Sequence, residues 1–380
     1  MMSRTRDDIG TYDDISAAAV RTTELSDFGG DEHEEGLRIV VESLASEGGL
    51  TPVGNHRLRG MVKGALVARL LAEHGFAAHP EHSDVPVERP IFVTGLPRSG
   101  TTLVQRLLTA DPRHQGLEQW LADLPQPRPA RDTWAEHPIF SAMQAGYQAF
   151  HESNPEMAGL HYSDAASHEE CWRLLQQAGT SVAFETQAHV PTYSRWLDKQ
   201  DWTPAYRRHR QLLQLIGLND ADQRWVLKNP SHLIALDALL EVYPDAIILV
   251  THRDPVTCVA SMCSLAEASS RGTSTAFTGA TIGRTQLDLL VREQAAYRAA
   301  RDAAEPGHFM DVAYDDLVRD PVGTIAGVYA GFDLPWNGDT EAAIRAGLAE
   351  SRAGARRPQH SYALADYGLT EDQVHAAFDV

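Results

Sequence analysis

Short apolar runs that end in polar turns recur along the chain after residue 90. Three of them, IFVTG (91–95), RWVLKNP (224–230) and AIILVTHRDP (246–255), lead into segments with helical periodicity. A fourth run, HFMDVAYDDL, covers residues 308–317. Such runs are typical of parallel strands joined by crossover helices. The pattern therefore predicts an α/β fold of three layers with a central parallel sheet.

The pattern before residue 90 predicts a helical cap. The first ~30 residues are polar and show little periodicity, which indicates a loosely held tail. One helix is expected within residues 32–46 (EHEEGLRIVVESLAS), and a second after Asn55 as its N-cap. The Pro- and charge-rich segment 79–90 marks a boundary. We therefore expect an N-terminal tail and cap over residues 1–88 and the main domain over residues 89–380.

Residues 133–216 are interpreted as a helical insertion in the main domain. ECWRLLQQAG and TPAYRRHRQLLQLIG have helical spacing, and the segment shows no strong strand pattern. An insertion of this length can wall or cover a site. Aromatic residues in it and just before it either line an apolar pocket or belong to the core. These residues are Trp120, Trp134, Phe140, Tyr147, Phe150 and Trp172.

Composition narrows the classes of partner. The chain has 380 residues, with 33 basic and 52 acidic side chains and a net charge of -19, so most of its surface repels nucleic acid and anionic lipid headgroups. No apolar run approaches a membrane span, and the N-terminus lacks the apolar core of a secretory signal. Cys171, Cys258 and Cys263 lack the spacing of a zinc site or a disulfide framework, which favours a reducing, cytoplasmic compartment. We expect no metal, and a homodimer is compatible with the sequence.

The stretch GLPRSGTT (95–102) nearly matches a nucleotide-binding phosphate loop. A buried strand that ends at Gly95 and turns into a helix after Gly100 directs several backbone N–H groups at one point, which also lies at the positive end of the helix dipole. Such a point binds an oxyanion. The residues of the turn and of the helix start are Pro97, Arg98, Ser99, Gly100, Thr101 and Thr102.

The position after the second glycine limits which anion fits this loop. Nucleoside triphosphatases carry a lysine there, which reaches the outer phosphates, followed by a Ser or Thr that holds magnesium. Here Thr101 takes the place of the lysine. The loop therefore suits a single terminal phosphate group better than a triphosphate with its metal.

A second anion site is expected about 150 residues later, in ILVTHRDPVTCVAS. Asp254 can cap a helix in which Pro255 takes the first position, and Arg253 stands just before it. Ser261 lies two helical turns further on. Arg253 and Ser261 can reach one anion if the ligand runs along the flank of the helix. The alternative is that Arg253 pairs with Asp254 or a neighbouring carboxylate.

Taken together, these two stretches closely resemble the sulfotransferases that use 3′-phosphoadenosine 5′-phosphosulfate (PAPS). The resemblance covers roughly residues 88–370 and favours the bacterial branch of that family, related to the protein-tyrosine sulfotransferases. It implies a P-loop-like sulfotransferase fold in which Pro97 to Thr102 hold the 5′-phosphosulfate. Arg253 and Ser261 would then hold the 3′-phosphate of the donor.

The resemblance also implies catalytic roles. Sulfuryl transfer needs in-line positioning, cations near the sulfuryl oxygens and the leaving phosphate, and a base for the acceptor proton. Arg98 is expected to stabilise the leaving group. Lys228, at the carboxyl end of a strand, is expected at the sulfuryl or bridging oxygen, with a surface lysine as the alternative. The base is expected to be Glu118 in HQGLEQWLADLP, although the related motif has two glutamates and Gln119 takes the second place here. His232 is the second candidate.

Other charged residues carry weaker expectations. Arg356 and Arg357, in the basic loop SRAGARRPQHSY, resemble only loosely an element that grips the 3′-phosphate, and solvated charge is the alternative. His168, Glu169 and Glu170 are interpreted as residues of a first helical turn. His252 is interpreted as structural.

The function expected from all this is transfer of a sulfuryl group from PAPS to a hydroxyl or amine of a small-molecule, lipid or sugar acceptor. Two alternatives stay open: a small-molecule kinase with a related phosphate loop, and a nucleotide sensor without turnover. A highly sulfated glycan is a poor acceptor for a protein this acidic.

Overall fold

The computed structural model describes residues 5–153, 164–353 and 363–379. Its sheet consists of β1 (Ile91–Gly95), β2 (His114–Gln115), β3 (Arg224–Lys228), β4 (Ile247–His252) and β5 (Phe309–Ala313). The order across the sheet is β2-β3-β1-β4-β5, and every neighbouring pair is parallel. The four apolar runs are thus confirmed as strands. The two-residue strand β2 was not predicted, because it is too short to show a period.

Helices surround the sheet and precede it. They are α1 (Tyr12–Thr23), α2 (Glu34–Ser46), α3 (Pro52–Ala78), α4 (Thr101–Thr109), α5 (Gln119–Asp123), α6 (Pro138–Ser153), α7 (Trp172–Leu175) and α8 (Pro191–Leu197). The later ones are α9 (Thr203–Ile216), α10 (Leu236–Val242), α11 (Pro255–Ser270), α12 (Gly279–Ala303), α13 (Tyr314–Arg319), α14 (Pro321–Gly331), α15 (Gly338–Ala353) and α16 (Glu371–Phe378). No helix in the described ranges is long and apolar enough to cross a membrane.

Both faces of the three central strands β1, β3 and β4 are buried, which is why these strands are apolar at most positions, whereas the edge strand β5 is only partly buried. Alternate side chains of β1 point to opposite faces: Ile91 and Val93 join a core with α4, α14 and α15, whereas Phe92 joins a larger core with the remaining helices. Ile91 lies level with Val226 of β3 and Ile247 of β4. The predicted three-layer α/β fold is confirmed.

The predicted loosely held tail is wrong over the 12 residues of α1. Residues from Tyr12 onward form α1, whose start is capped by a reciprocal Thr11 and Asp14 pair. Tyr12 and Ile15 are buried in the same core as Leu66 of α3. The polar residues of this segment occupy the solvent face of an amphipathic helix, which hid the few apolar positions that anchor it.

The second cap helix starts earlier than predicted. Thr51 is its N-cap and accepts a hydrogen bond from the N–H of Gly54, with Pro52 in the first turn. Asn55 lies inside the helix, and its side-chain amide donates to the backbone carbonyls of Arg6 and Asp7. The residue therefore holds the N-terminal segment against α3. The boundary proposed at residue 88 stays a prediction, and the cap shares its core with one face of the sheet.

Candidate functional site

The loop after β1 has the geometry of an anion-binding turn. Gly95, Arg98 and Gly100 have φ angles of 132°, 72° and 102°. A side chain at Gly95 would place its Cβ 2.3 Å from the carbonyl oxygen of Thr251, so only glycine fits there. The chain then enters α4 at Thr101, whose first N–H groups have no intrahelical acceptor. The loop thus directs N–H groups and a helix N-terminus at one point.

Ser99 fixes this loop from behind. Its hydroxyl is fully buried and lies 2.5 Å from the carbonyl oxygen of Leu96 and 2.5 Å from Oγ1 of Thr251, the residue next to the end of β4. The Ser99 hydroxyl points into the protein, so only the backbone N–H of this residue is left for an anion, and its contact with the donor stays a prediction. Pro97, Arg98, Gly100, Thr101 and Thr102 all line the cavity described below.

Arg98 and Arg253 meet at the mouth of the loop. Nη1 of Arg253 donates to the carbonyl oxygen of Arg98 at 2.9 Å, and its guanidinium lies 4.0 Å from the ring centroid of Tyr314. Neither arginine pairs with a carboxylate among the residues that the structure describes. The alternative in which Arg253 pairs with Asp254 is wrong, since the Asp254 carboxylate caps α11 through the N–H of Thr257 at 2.9 Å. Two cations are thus left for an anionic ligand.

Ser261 and His252 lie beside this arrangement. Ser261 is buried on α11 and does not line the cavity, so the structure does not bring it to the same surface as Arg253. His252 binds Asp311 of β5 at 2.6 Å, as a structural residue is expected to do. The Ser261 contact with the donor stays a prediction. Arg356 and Arg357 lie outside the described residues.

Lys228 is not a surface lysine. Its side chain is 3% exposed, and Nζ forms an ion pair with Glu170. Glu170 lines the cavity, together with Asn229, which directly follows Lys228. The interpretation of Glu170 as a first-turn acid is therefore wrong: it precedes α7 and neutralises the lysine at the edge of the cavity.

Glu118 lies away from the cavity. Its carboxylate is fully buried, with Oε2 3.0 Å from Nε of Arg128 and Oε1 3.0 Å from Nη1 of Arg131. Arg128 is itself buried and also binds Asp220 at 2.6 Å. The assignment of Glu118 as the base stays a prediction, and one that this position argues against.

Replacing Glu118 with alanine is expected to lower the free energy of unfolding by about 3–5 kcal/mol, because the buried guanidinium of Arg128 loses the fully buried one of its two carboxylate partners. Urea denaturation measures this change. Glu136→Ala is the control, since Glu136 is exposed and has no ion pair in the described part of the chain. An unchanged midpoint with lost turnover would restore Glu118 as the base.

His232 is a core residue. It is fully buried, Nδ1 lies 2.8 Å from the hydroxyl of Tyr206, and the ring packs edge-on against Phe92. Burial, followed by the charge of His209, holds the pKa of His232 well below its ordinary value. Its ring does not line the cavity. The structure thus does not bring this second base candidate to the site.

A cavity of about 640 Å³ joins the loop, Arg253 and Glu170, a volume typical of small-molecule sites. It starts at the loop and at Arg253 and continues along one face of α11, through Met262, Leu265, Ala266 and Ser269. Of the six aromatic candidates, Tyr147, Phe150 and Trp172 line the cavity. Trp120, Trp134 and Phe140 stack on one another in the core.

Glu293 is the most unusual residue of the cavity wall. It lies on α12, is 1% exposed, and its Oε2 is buried without a hydrogen-bond partner in the described ranges. Burial raises the pKa of Glu293 to about 7, although a hydrogen bond with the Ser231 side chain acts in the opposite direction. Sequence reasoning missed it. The available signal was its place between Leu289 and Tyr297, four residues from each, on the apolar stripe of the helix.

Comparison with known proteins places this geometry in a family. A model described as "Sulfotransferase family" matches residues 90–338. The crystal structure of sulfotransferase STF1 from Mycobacterium tuberculosis H37Rv superposes with a TM-score of 0.91 and 48% identity, covering 98% of this chain and 99% of that one. For sulfotransferase STF9 from Mycobacterium avium, the TM-score is 0.89, the identity is 29%, and the coverage is 98% and 96%.

A curated relative is similar over a shorter part. It is the omega-hydroxy-beta-dihydromenaquinone-9 sulfotransferase Stf3 of Mycobacterium bovis, which is 28% identical over 262 residues. These residues make up 64% of this chain and 63% of the relative. The matched segment of the family model contains the loop, Lys228, Arg253 and Glu293. The chain belongs to the sulfotransferase family.

Proposed function

We propose that the protein transfers the sulfuryl group of PAPS to a hydroxyl group of a small-molecule or lipid acceptor. The observation that carries this proposal is the pair of arginines, Arg98 and Arg253, that face one anion-binding loop without carboxylate partners among the described residues. The loop carries Thr101 in place of the lysine that a triphosphate needs, which suits it to a single phosphate group. The donor presents a single phosphosulfate arm and a separate 3′-phosphate, which matches two cationic contacts.

The proposed reaction is an in-line displacement. The acceptor oxygen forms a bond to sulfur, the bond between sulfur and the bridging oxygen of the 5′-phosphate breaks, and 3′-phosphoadenosine 5′-phosphate (PAP) leaves. Arg98 and the N–H groups at the start of α4 stabilise the charge that develops on the leaving phosphate. Lys228 is paired with Glu170, so its ammonium group can contact the sulfuryl oxygens only if this ion pair breaks or if one of its other N–H groups points to the donor.

The acceptor proton needs a base that faces the cavity. We propose Glu293 for this role, in place of Glu118 and His232, because its carboxylate lines the cavity and keeps one oxygen without a partner in the described ranges. A base with a pKa near the working pH is also the most effective one. Glu170 is the nearest competitor, but its carboxylate is already paired with Lys228.

A hydroxyl acceptor with a large apolar part fits the rest of the cavity. Leu265, Leu289 and Leu290 line it away from the loop. The name of the curated relative specifies a hydroxylated menaquinone, which is of the same chemical kind. Gripping of the 3′-phosphate by Arg356 and Arg357 stays a prediction.

Calorimetric titration tests the donor assignment. PAP is expected to bind with micromolar affinity, and Arg253→Ala is expected to weaken binding about tenfold or more, because one charge-assisted contact is lost. Arg207→Ala is the control: this arginine is exposed on α9 and pairs with Glu241, away from the cavity. Tighter binding of ATP with magnesium, or indifference to Arg253, would favour the kinase instead.

A further inference from the structure

The far end of the cavity holds a second cationic group. Arg57, on α3 of the N-terminal cap, lines the same cavity as the loop. Nη2 donates to Oε1 of Gln187 at 2.7 Å, and Nη1 donates to the backbone carbonyl of Ser269 in the last turn of α11. Since α11 begins beside Arg253, the two arginines contact opposite ends of this helix, which is about 24 Å long.

The surroundings of Arg57 leave its charge uncompensated. None of the carboxylates that the structure describes forms an ion pair with it. Arg57 is an exposed residue of the cavity lining, so its charge faces solvent as well as the cavity. A guanidinium has five N–H donors, and the two acceptors named above engage only part of them. The remaining donors can bind an oxyanion in the cavity.

Three elements contribute apolar side chains to the wall between the two ends. Met262, Leu265 and Ala266 belong to α11, Leu289 and Leu290 to α12, and Val182 to the insertion. Such a wall suits an extended aliphatic or polyprenyl-like segment. The binding surface thus combines a reactive end near the loop and Glu293, an apolar middle and a cationic far end.

We propose that Arg57 is a specificity-determining residue that binds an oxyanion at the distal end of an elongated, apolar hydroxyl acceptor. The inference rests on the proposed function for the reactive end. The acceptor class is an amphiphile with a hydroxyl group at one end and a carboxylate or phosphate at the other. A role limited to holding the end of α11 is the competing explanation, because the Ser269 carbonyl accepts from Arg57 in either case.

Equilibrium binding with defined probes separates the two explanations. The protein is saturated with PAP, and the dissociation constants of ω-hydroxy fatty acids of graded length are compared with those of 1-alkanols of equal length. We expect the wild type to bind the best hydroxy acid about 10- to 100-fold more tightly than its alkanol, because a charge-assisted hydrogen bond is added. Arg57→Gln is expected to abolish this preference while leaving alkanol binding unchanged. An ω-hydroxyalkyl phosphate shows whether a phosphate replaces the carboxylate.

Arg59→Gln is the matched control. Arg59 lies two residues further along α3, donates to the carbonyls of Ile9 and Asp14, and does not line the cavity. Its substitution should leave the preference intact. Equal loss of alkanol and hydroxy acid binding in Arg57→Gln, or no preference in the wild type, overturns the inference. Weaker PAP binding in Arg57→Gln also overturns it, because Arg57 would then belong to the donor site. Failure of the wild type to bind PAP at all contradicts the proposed function instead.

Discussion

Arg98→Ala is expected to lower kcat/KM for sulfuryl transfer by about 10²- to 10³-fold, the usual cost of removing one preorganised group from a developing anion. Arg98 borders the loop and the cavity, and it has no carboxylate partner in the described residues that would keep its charge from the leaving phosphate. PAP formation from PAPS, with a 1-alkanol as acceptor, measures the change.

The backbone at this position allows a sharper control. Arg98 has a φ of 72°, a conformation that glycine adopts without strain and alanine does not. Arg98→Gly therefore removes the cation but keeps the shape of the loop, whereas Arg98→Ala removes the cation and adds strain. Similar losses in both variants assign the effect to the charge. A large loss in Arg98→Ala alone would show that the shape of the loop is what matters.

Glu293→Gln is expected to lower kcat/KM by about 10²- to 10⁴-fold at pH 8, because the base is removed while the shape of the side chain is kept. The wild-type profile should fall as the pH drops below about 7, where the carboxylate takes up a proton. The variant should lack that inflection. If the inflection near pH 7 in the profile of kcat/KM persists in Glu293→Gln but disappears in Glu170→Gln, Glu170 is the general base instead.

The Glu293 carboxylate also makes the free energy of unfolding depend on pH, and this dependence provides a check that the Glu293→Gln variant is folded. Its pKa is about 7 in the folded state against an ordinary value of 4.5. The folded protein therefore holds the proton more tightly than the unfolded chain does. The contribution of Glu293 to stability is complete below pH 4.5 and is lost as the pH rises through 7. Glu293→Gln removes this dependence, so at pH 8 the variant should be at least as stable as the wild type.

The sequence predicted well those parts of the molecule that local rules determine. The strands followed from runs that are buried on both faces, and the loop followed from Gly95 and Gly100. The cap of Asp254 on α11 was confirmed because capping depends on residues only three positions apart.

The acid and base assignments could not be read from the sequence, because they depend on ion pairs across loops and between distant segments, which follow no fixed spacing. The sequence does not show that Glu118 forms ion pairs with Arg128 and Arg131. It also does not show that Glu170 pairs with Lys228, which is 58 residues away in the chain. Arg57 belongs to a helix that precedes every recognised motif. No spacing rule connects Glu118 or Glu170 with its arginine or lysine partners, because only the fold brings them together.

The hydroxyl of Ser99, bound to Thr251 behind the loop, has a consequence for how the proposed donor would bind. Thr251 and Arg253 belong to the same few residues at the end of β4, so the loop and the second arginine are fastened to one rigid support. The entropy of ordering them is lost during folding, before any donor arrives. Little of the binding free energy is then lost in ordering the site. The contacts with the two phosphate groups can therefore contribute fully to selectivity between ligands whose phosphates are placed differently.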